Sequence, residues 1–471
     1  MRIPEFVQAV KRGEIDIVEH THKVLDICAH VNSEYHYFTA ITQEALQRAK
    51  ELSRRKEKRG VLWGVPVSAK DAISVMGVET TGGSRILKGY MPLFDATAVE
   101  KLRDEGAIII GKTSQDEFGF GSFGINVGKG YEISLNPFDK RRVCGGSSAG
   151  SAGITQKLDT HASLGESTGG SIVNPASFCG VVGLTPTYGR VSRHGLLDYG
   201  TSFDKIGPMA KSVEDAAYVL SSISGHDKAD ATSANIKKEA FHSFVKKDIR
   251  GMKMGVIKGS LENADTLVQK GCQEGIRKLE EQGCEIRTIE LPITMKYGVS
   301  CYYLLATAEA STNLARYCGM RYGTHEELKG DFNSYFSDVR SGHFGKEAKR
   351  RIMLGTFARM AGFRDAYYLK AAKIRTLIVN EYKKAFKRVD ALVSPTVPKL
   401  PLTFDEVKRL SVLENYMFDV LTVGPNVAGI PHMSVPVSMQ KGLPVGLMLM
   451  TDHFEEGKLV QIGSKAEMQK Q

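Results

Sequence analysis

Apolar residues along this chain recur with two periods, one typical of helices and the other of strands. Spacings of three to four residues predict helices over residues 5–30, 42–57, 96–105, 211–223, 264–282, 300–317 and 346–388. Period-two alternation or short apolar runs predict strands over residues 36–41, 65–70, 107–111, 254–257, 285–291, 391–394 and 433–437. Helices and strands therefore alternate along most of the chain, which is typical of an α/β protein.

The segment from Gly121 to Gly207 departs from this pattern because glycine and serine are dense in it. Apolar stretches such as Phe178–Leu184 interrupt it, so we interpret it as a loop-rich active face and not as low-complexity sequence. The late strands are expected to rejoin the sheet that the first half begins. We predict one domain, 1–471, made of a helical arm at 1–60, a core at 61–225, an exposed connection at 226–250 and a second half at 251–471.

The composition is that of a soluble globular protein, with 471 residues, 42% of them hydrophobic and 25% charged. No apolar run approaches the roughly 18 residues of a membrane span, and we expect a cytoplasmic protein. The seven scattered cysteines form no C-x-x-C pair, which indicates reduced thiols and no zinc site. The net charge of +10 favours a polyanionic partner such as RNA, but the basic runs are interleaved with acids, so solvated helix faces are the simpler interpretation.

Two short motifs point to chemistry that their context opposes. Gly106–Thr113 matches the phosphate-loop pattern, but three consecutive isoleucines favour a buried strand whose N–H groups are not free to bind phosphate. Gly146–Gly150 matches the G-x-S-x-G nucleophile elbow with Ser148 as nucleophile. No strong strand precedes it and no downstream Asp and His stand out as partners, so we reject a Ser-His-Asp hydrolase.

Three other pieces form a coherent set for amide hydrolysis: Lys70 at a strand end, the loop Gly145–Ser148, and Thr168–Ser171. An amide needs an activated nucleophile, donors for the oxyanion, and an acid for the departing ammonia. Ser171 can supply the hydroxyl, and the glycines before it let the backbone N–H groups of Thr168, Gly169, Gly170 and Ser171 converge on the oxyanion. Lysine is a base only when neutral, so Lys70 is expected to be desolvated, with Ser147 relaying the proton.

These residues resemble the amidase signature family, which is characterised by a Ser-Ser-Lys triad. The resemblance rests on Gly145–Ser151, on Gly169–Ile172 and on Pro175–Leu184. It implies Ser171 as nucleophile, Ser147 as a bridging serine in a cis peptide, and Lys70 as base. It also implies the family's α/β fold, a large mixed central β-sheet covered by helices on both faces.

Within the family, the chain is similar to the glutaminase subunits of aspartyl/glutamyl-tRNA amidotransferases. The stretches that carry this resemblance are Pro186–Ser192, Ala308–Arg316, Arg350–Thr356, Asp419–Thr422 and Asn426–Gly429. Glutamine brings an α-carboxylate and an α-ammonium, which call for an arginine fork and a carboxylate. By resemblance Arg351 and Asp419 fill these roles, with Arg350 as an alternative to Arg351, and the remaining implied substrate contacts are Tyr302, Tyr303 and Ser148.

The resemblance implies that the chain hydrolyses glutamine and that a partner protein uses the ammonia to amidate misacylated Glu-tRNA(Gln) or Asp-tRNA(Asn). It implies partner subunits B and C, ATP and Mg²⁺ bound by a partner, and no cofactor or metal in this chain. Two alternatives stay open. One is a stand-alone amidase of small amides, and the other is a catalytically weak scaffold in the complex.

The chain departs from the family pattern beside the nucleophile. Where the family usually reads G-S-D-T-G-G-S-I-R, this chain reads G-E-S-T-G-G-S-I-V over residues 165–173. The usual acidic and basic residues are replaced by Ser167 and Val173, which fits an ion pair that was lost as a unit. The usual E-N-S-A-F-G segment is also altered, to Gly124–Lys129.

Overall fold

The computed structural model describes residues 1–468, and a single mixed sheet of 11 strands runs through them. The strands are β1 (Phe38–Ile41), β2 (Pro66–Lys70), β3 (Ile108–Thr113), β4 (Ala162–Ser167), β5 (Val182–Thr185), β6 (Lys205–Ala210), β7 (Lys253–Ile257), β8 (Glu285–Ile289), β9 (Ala391–Pro395), β10 (His432–Gln440) and β11 (Leu443–Met450). Their order across the sheet is β1-β3-β2-β4-β6-β5-β10-β11-β9-β7-β8. The predicted α/β class with a large mixed sheet is confirmed.

The helices pack around this sheet. They are α1 (Ile3–Arg12), α2 (Ile17–Tyr35), α3 (Glu44–Ser53), α4 (Thr97–Asp104), α5 (Ala149–Lys157), α6 (Val173–Cys179), α7 (Val213–Ile223), α8 (Thr266–Glu281), α9 (Pro292–Asn313), α10 (Phe332–His343), α11 (Lys346–Arg359), α12 (Lys370–Phe386), α13 (Phe404–Arg409), α14 (Val412–Met417), α15 (Val423–Ala428) and α16 (Glu456–Ala466). Alternate residues of β11 enter different core clusters, Leu447 and Leu449 in one and Met448 and Met450 in the other. Because successive side chains of a strand point to opposite faces, both faces of the sheet are covered here.

Two of the predicted helices are each interrupted. The helix predicted over 5–30 is divided between α1 and α2, because Gly13 adopts a φ of 80° and Asp16 caps α2 through the N–H groups of Val18 and Glu19. The pattern over 346–388 is divided between α11 and α12, and Gly362 in the break has a φ of 86°. A helical period continues across such a break, so apolar spacing does not reveal it.

The interpretation of residues 121–207 as mainly loops is wrong, because the segment contains α5, β4, α6, β5 and the first part of β6. Helix α5 has no apolar stripe, since small residues bring its backbone against the rest of the fold. A Cβ on Gly153 would lie 2.2 Å from the ring of Tyr37. This close contact requires glycine, and it stabilises a helix that the sequence pattern does not predict.

Strands from both halves of the chain share the sheet. Strand β10 pairs antiparallel with β5 from the first half and with β11, which the sequence analysis did not predict. The connection at 226–250 contains a short 3₁₀ turn and no α-helix or strand, although Phe241 and Ile249 are buried. No helix within residues 1–468 is both long and apolar enough to cross a bilayer.

The phosphate-loop match is rejected by the structure. Residues 108–113 form strand β3, and Lys112 is buried with its Nζ 3.2 Å from Oδ1 of Asp71 and 2.6 Å from Oγ1 of Thr80. Its ammonium is therefore engaged inside the fold. No phosphate can reach it there.

Two buried histidines make stability sensitive to acid. Burial lowers the pKa of both His161 and His432 to about 3. Below about pH 6.5 the unfolded chain binds protons that the folded chain excludes, so stability falls as the pH falls from there towards 3. We expect His161→Gln to reduce the stability lost between pH 7 and pH 5 by about 2 kcal/mol. Urea unfolding at the two pH values measures this difference.

The matched control for this prediction is His226→Gln. His226 is exposed, and an exposed imidazole is hydrated in both states, so this change leaves the acid loss as it is in the unaltered chain. An equal acid loss in His161→Gln and in the unaltered chain contradicts the assignment.

Candidate active site

Lys70 is the last residue of β2, and its side chain is fully buried. Strand β2 is parallel to both β3 and β4, so the carboxyl ends of the three strands meet at one edge of the sheet. Nζ of Lys70 lies 2.6 Å from Oγ of Ser147, 2.7 Å from Oε2 of Glu166 and 3.1 Å from the backbone oxygen of Glu166. Burial disfavours the ammonium and the carboxylate favours it. The uncharged state of Lys70 stays a prediction.

The loops that carry Ser147 and Ser171 lie side by side. The peptide bond between Gly146 and Ser147 is cis, and the N–H of Ser148 donates to the backbone oxygen of Ser171 at 3.2 Å. Ser147 is fully buried, whereas Ser171 is 6% exposed and lines a narrow cavity. One serine therefore meets Lys70 and the other faces the cavity, which is the arrangement that a proton relay needs.

The loop before Ser171 is shaped by two glycines. A Cβ on Gly169 would lie 2.4 Å from the ring of Tyr302, and one on Gly170 would lie 2.5 Å from Oγ1 of Thr422. Both distances are too short for any side chain. Within residues 1–468 the N–H groups of Gly169, Gly170 and Ser171 are not used in hydrogen bonds. They are available as donors to an oxyanion, while the oxyanion role itself stays a prediction.

Asp419 and Arg351 line the same cavity as Ser171. The Asp419 carboxylate accepts hydrogen bonds from Ser122 at 2.7 Å, from Tyr303 at 2.7 Å and from Asn174 at 3.1 Å. Burial raises the pKa of this carboxyl, so a bound ammonium would favour its ionised form. The structure thus brings a buried carboxylate beside the predicted nucleophile.

The Arg351 guanidinium is 3% exposed and is held in a cage of aromatic rings. Its centre lies 5.1 to 5.7 Å from the rings of Phe120, Tyr199, Tyr303 and Tyr416. Nε donates to Glu347 at 2.9 Å, and one terminal nitrogen donates to the Tyr199 hydroxyl. Arg350 also pairs with Glu347, but its side chain is 43% exposed and lines a second cavity that adjoins the first. The structure therefore favours Arg351 as the buried cation.

The other predicted substrate contacts are placed unequally. Tyr302 and Tyr303 line the cavity, and the Tyr302 hydroxyl lies 3.3 Å from that of Tyr199. Ser148 is buried just before α5, where its hydroxyl donates to the backbone oxygen of Glu166 at 3.2 Å. It is not among the residues that line the cavity. Its role in substrate binding stays a prediction.

The departures from the family pattern occupy buried positions. Ser167 and Val173 are both fully buried, and Ser167 lies 3.4 Å from the side-chain oxygen of Asn426. A single charge left at either position would be stranded, which fits a joint loss. In the altered segment, Gly124 and Asn126 donate their N–H groups to Asp116, and burial raises the pKa of Asp116 to about 6.

Sequence reasoning missed the residue closest to Lys70 after Ser147, namely Glu166. Its side chain is buried in β4, and it approaches Lys70 across the sheet. Ser122 and Asn174, which support Asp419, were also missed. One signal was present for Glu166, since it is a charged residue in an otherwise uncharged strand, Ala162–Ser167, that leads into the serine loop.

Comparison with known proteins places the chain in a family. The profile of the amidase family matches residues 19–460, and the chain belongs to this family. Among its relatives are the A-type subunits of glutamyl-tRNA(Gln) amidotransferases. The chain is 44% identical over 467 residues to that of Thermoanaerobacter pseudethanolicus, covering 98% of this chain and 95% of the relative. It is 41% identical over 471 residues to that of Persephonella marina, covering 98% and 96%.

Solved structures agree with this assignment. The corresponding glutamyl-tRNA(Gln) amidotransferase protein of Thermotoga maritima superposes with a TM-score of 0.81 at 34% identity, covering 98% of this chain and 93% of that one. The peptide amidase of Stenotrophomonas maltophilia superposes with a TM-score of 0.80 at 28% identity, covering 99% and 96%. The amidase-signature fold that the sequence motifs predicted is confirmed.

Proposed function

We propose that this chain is the glutaminase component of a tRNA-dependent amidotransferase. The observation that carries the proposal is the buried contact of 2.6 Å between Lys70 and Ser147, beside a cavity that contains Ser171, Arg351 and Asp419. The relatives from glutamyl-tRNA(Gln) amidotransferases support the same conclusion. Amide hydrolysis needs the lysine and the two serines, and recognition of a free amino acid needs Arg351 and Asp419.

In the proposed reaction, Oγ of Ser171 attacks the side-chain amide carbon of glutamine. Its proton passes to Ser147, whose own proton passes to neutral Lys70, and the oxyanion accepts hydrogen bonds from the loop before Ser171. The relay then returns a proton to the amide nitrogen, the C–N bond breaks and ammonia leaves. Water hydrolyses the remaining ester on Ser171, which yields glutamate and the free hydroxyl.

The cavity chemistry favours glutamine over a simple amide. Arg351 can bind an α-carboxylate through charge-assisted hydrogen bonds, and Asp419 can bind an α-ammonium. A substrate without these two groups leaves two buried charges unpaired, which is costly. This supports a glutaminase over a stand-alone amidase of small amides.

The ammonia is then used by a partner. We propose that partner subunits B and C complete the complex, and that a partner binds ATP and Mg²⁺ and amidates Glu-tRNA(Gln) or Asp-tRNA(Asn). The name of the relatives, which refers to a glutamyl-tRNA(Gln) amidotransferase of several subunits, supports a complex of this kind. We expect the complex to work in the cytoplasm, where tRNA is charged.

Covalent labelling distinguishes an active glutaminase from a scaffold. We expect an electrophilic glutamine analogue, a chloroketone, to alkylate Ser171, because its ketone carbon meets the nucleophile where the amide carbon would. Peptide mass spectrometry on the complete complex locates the label. Excess glutamine should protect the site, and Ser171→Ala should remain unlabelled. A complex that turns over no glutamine and takes no label at Ser171 contradicts the proposed function.

A further inference from the structure

Glu166 belongs to a chain of side chains that begins at Lys70 and ends at Asp204. Its Oε2 accepts from Nζ of Lys70 at 2.7 Å, and its Oε1 lies 2.8 Å from Oγ1 of Thr168. The same Oγ1 lies 2.8 Å from Oδ1 of Asp204. All four residues are buried, with exposures of 0 to 2%. The family usually has an uncharged serine where this chain has Glu166.

Hydrogen counting fixes the charge along this chain. The hydroxyl of Thr168 has one proton, so it can donate to only one of the two carboxyl oxygens beside it. The other carboxyl must hold a proton and donate it to Thr168. Asp204 fits this role, since its burial, and next the charge of Glu166, raise its pKa well above the ordinary value. Glu166 then keeps its negative charge, facing Lys70.

Lys70 has three acceptors around Nζ: the Ser147 hydroxyl and both the backbone and the side-chain oxygen of Glu166. An ammonium has three protons and satisfies all three acceptors, but it cannot act as a base. When one proton is lost to bulk water, the two remaining N–H bonds can stay on Glu166. The lone pair of the amine then points at Oγ of Ser147, as a base requires.

We propose that Glu166 is a positioning residue that orients Lys70 towards Ser147 and sets the pH above which Lys70 accepts the proton of Ser147. The inference rests on the proposed glutaminase function. Because a carboxylate at 2.7 Å favours the ammonium, Glu166 moves the onset of activity to higher pH than burial alone would. Activity therefore declines on the acidic side more steeply than it would with an uncharged residue at this position.

Other charged groups act on the same chain. Besides Lys70 and Asp204, Glu166 faces Lys205, whose pKa is lowered to about 7 mainly by burial. Asp116 acts on Lys70, and Arg193 acts on Asp204. None of these three is hydrogen-bonded to Glu166 within residues 1–468. A change confined to Glu166 therefore tests the one carboxylate in contact with Lys70.

Glu166→Gln is the first test. The amide oxygen can accept from Lys70, the amide N–H₂ can donate to Thr168, and Thr168 can donate to Asp204, so every hydrogen bond has a partner. The negative charge then lies on Asp204, farther from Lys70. We expect the ratio of kcat/KM for glutamine at pH 6.5 to that at pH 9 to rise roughly tenfold over the unaltered complex. The complete complex is assayed for glutamate release.

Glu166→Ser, the residue usual in the family, provides a second variant should the first not fold, and the same rise is expected. Glu309→Gln is the matched control, because this carboxylate bonds to Ser202 and not to Lys70. Profiles of the Glu166 variants that overlay the unaltered profile, or that move to higher pH, overturn the inference. An unaltered complex without glutamine hydrolysis overturns the proposed function instead.

Discussion

Ser171→Ala lowers kcat for glutamine hydrolysis by roughly 10⁴-fold or more, because the buried relay formed by Lys70 and Ser147 then has no nucleophile to activate. Binding of glutamine is expected to change little, since Arg351 and Asp419 remain in the cavity. Glutamate release by the complete complex measures the first quantity, and titration calorimetry with glutamine measures the second.

Ser177→Ala is the matched control for this prediction. Ser177 is a buried serine of α6 that does not line the cavity, so its loss should leave hydrolysis nearly unchanged. Transamidation gives a second readout, because free ammonium supplied at high concentration bypasses Ser171. Full glutamine-dependent transamidation by Ser171→Ala would show that the nucleophile lies elsewhere.

Arg351→Lys raises KM for glutamine about 30-fold, the equivalent of about 2 kcal/mol of binding free energy. A lysine can neither donate as a planar fork to the α-carboxylate nor keep both the Glu347 and the Tyr199 contacts. The effect should lie mainly in KM, since the contact is remote from the amide bond. Steady-state kinetics on the complete complex separate KM from kcat.

The neighbouring Arg350→Lys is the matched control. The side chain of Arg350 is 43% exposed, and a lysine there can still pair with Glu347, so we expect KM to stay within about twofold. The preference for glutamine over an amide that lacks the α-carboxylate should shrink in Arg351→Lys and persist in Arg350→Lys. The opposite ranking would assign the carboxylate to Arg350.

The catalytic groups could be predicted from local sequence because each lies in a recognisable local context. Lys70 ends a strand with clear period-two alternation, and the glycines before Ser171 indicate a tightly packed loop. A strand places its last side chain in a known direction relative to its neighbours, so the pattern alone predicted a lysine at the sheet edge. The family motifs then linked it to Ser147 and Ser171.

Long-range packing explains what the pattern missed. Helix α5 has no apolar period of its own, and it is stabilised where Gly150 and Gly153 contact Tyr37, more than a hundred residues earlier. Strand β11 is a continuous apolar run that gains its hydrogen bonds from β10 and β9. Period analysis detects elements that are half exposed, whereas α5 is almost entirely covered and β11 is fully covered.

The order of the amino acids was sufficient to establish the family, the α/β class and the groups available for chemistry. Which of these groups meet, and how they are charged, depends on the folded chain. Glu166 meets Lys70 because β4 and β2 are neighbours in the sheet, and Asp204 meets Thr168 because β6 lies beside β4. Protonation follows from burial and from the number of hydrogens shared among neighbours, and these quantities exist only once distant segments have packed together.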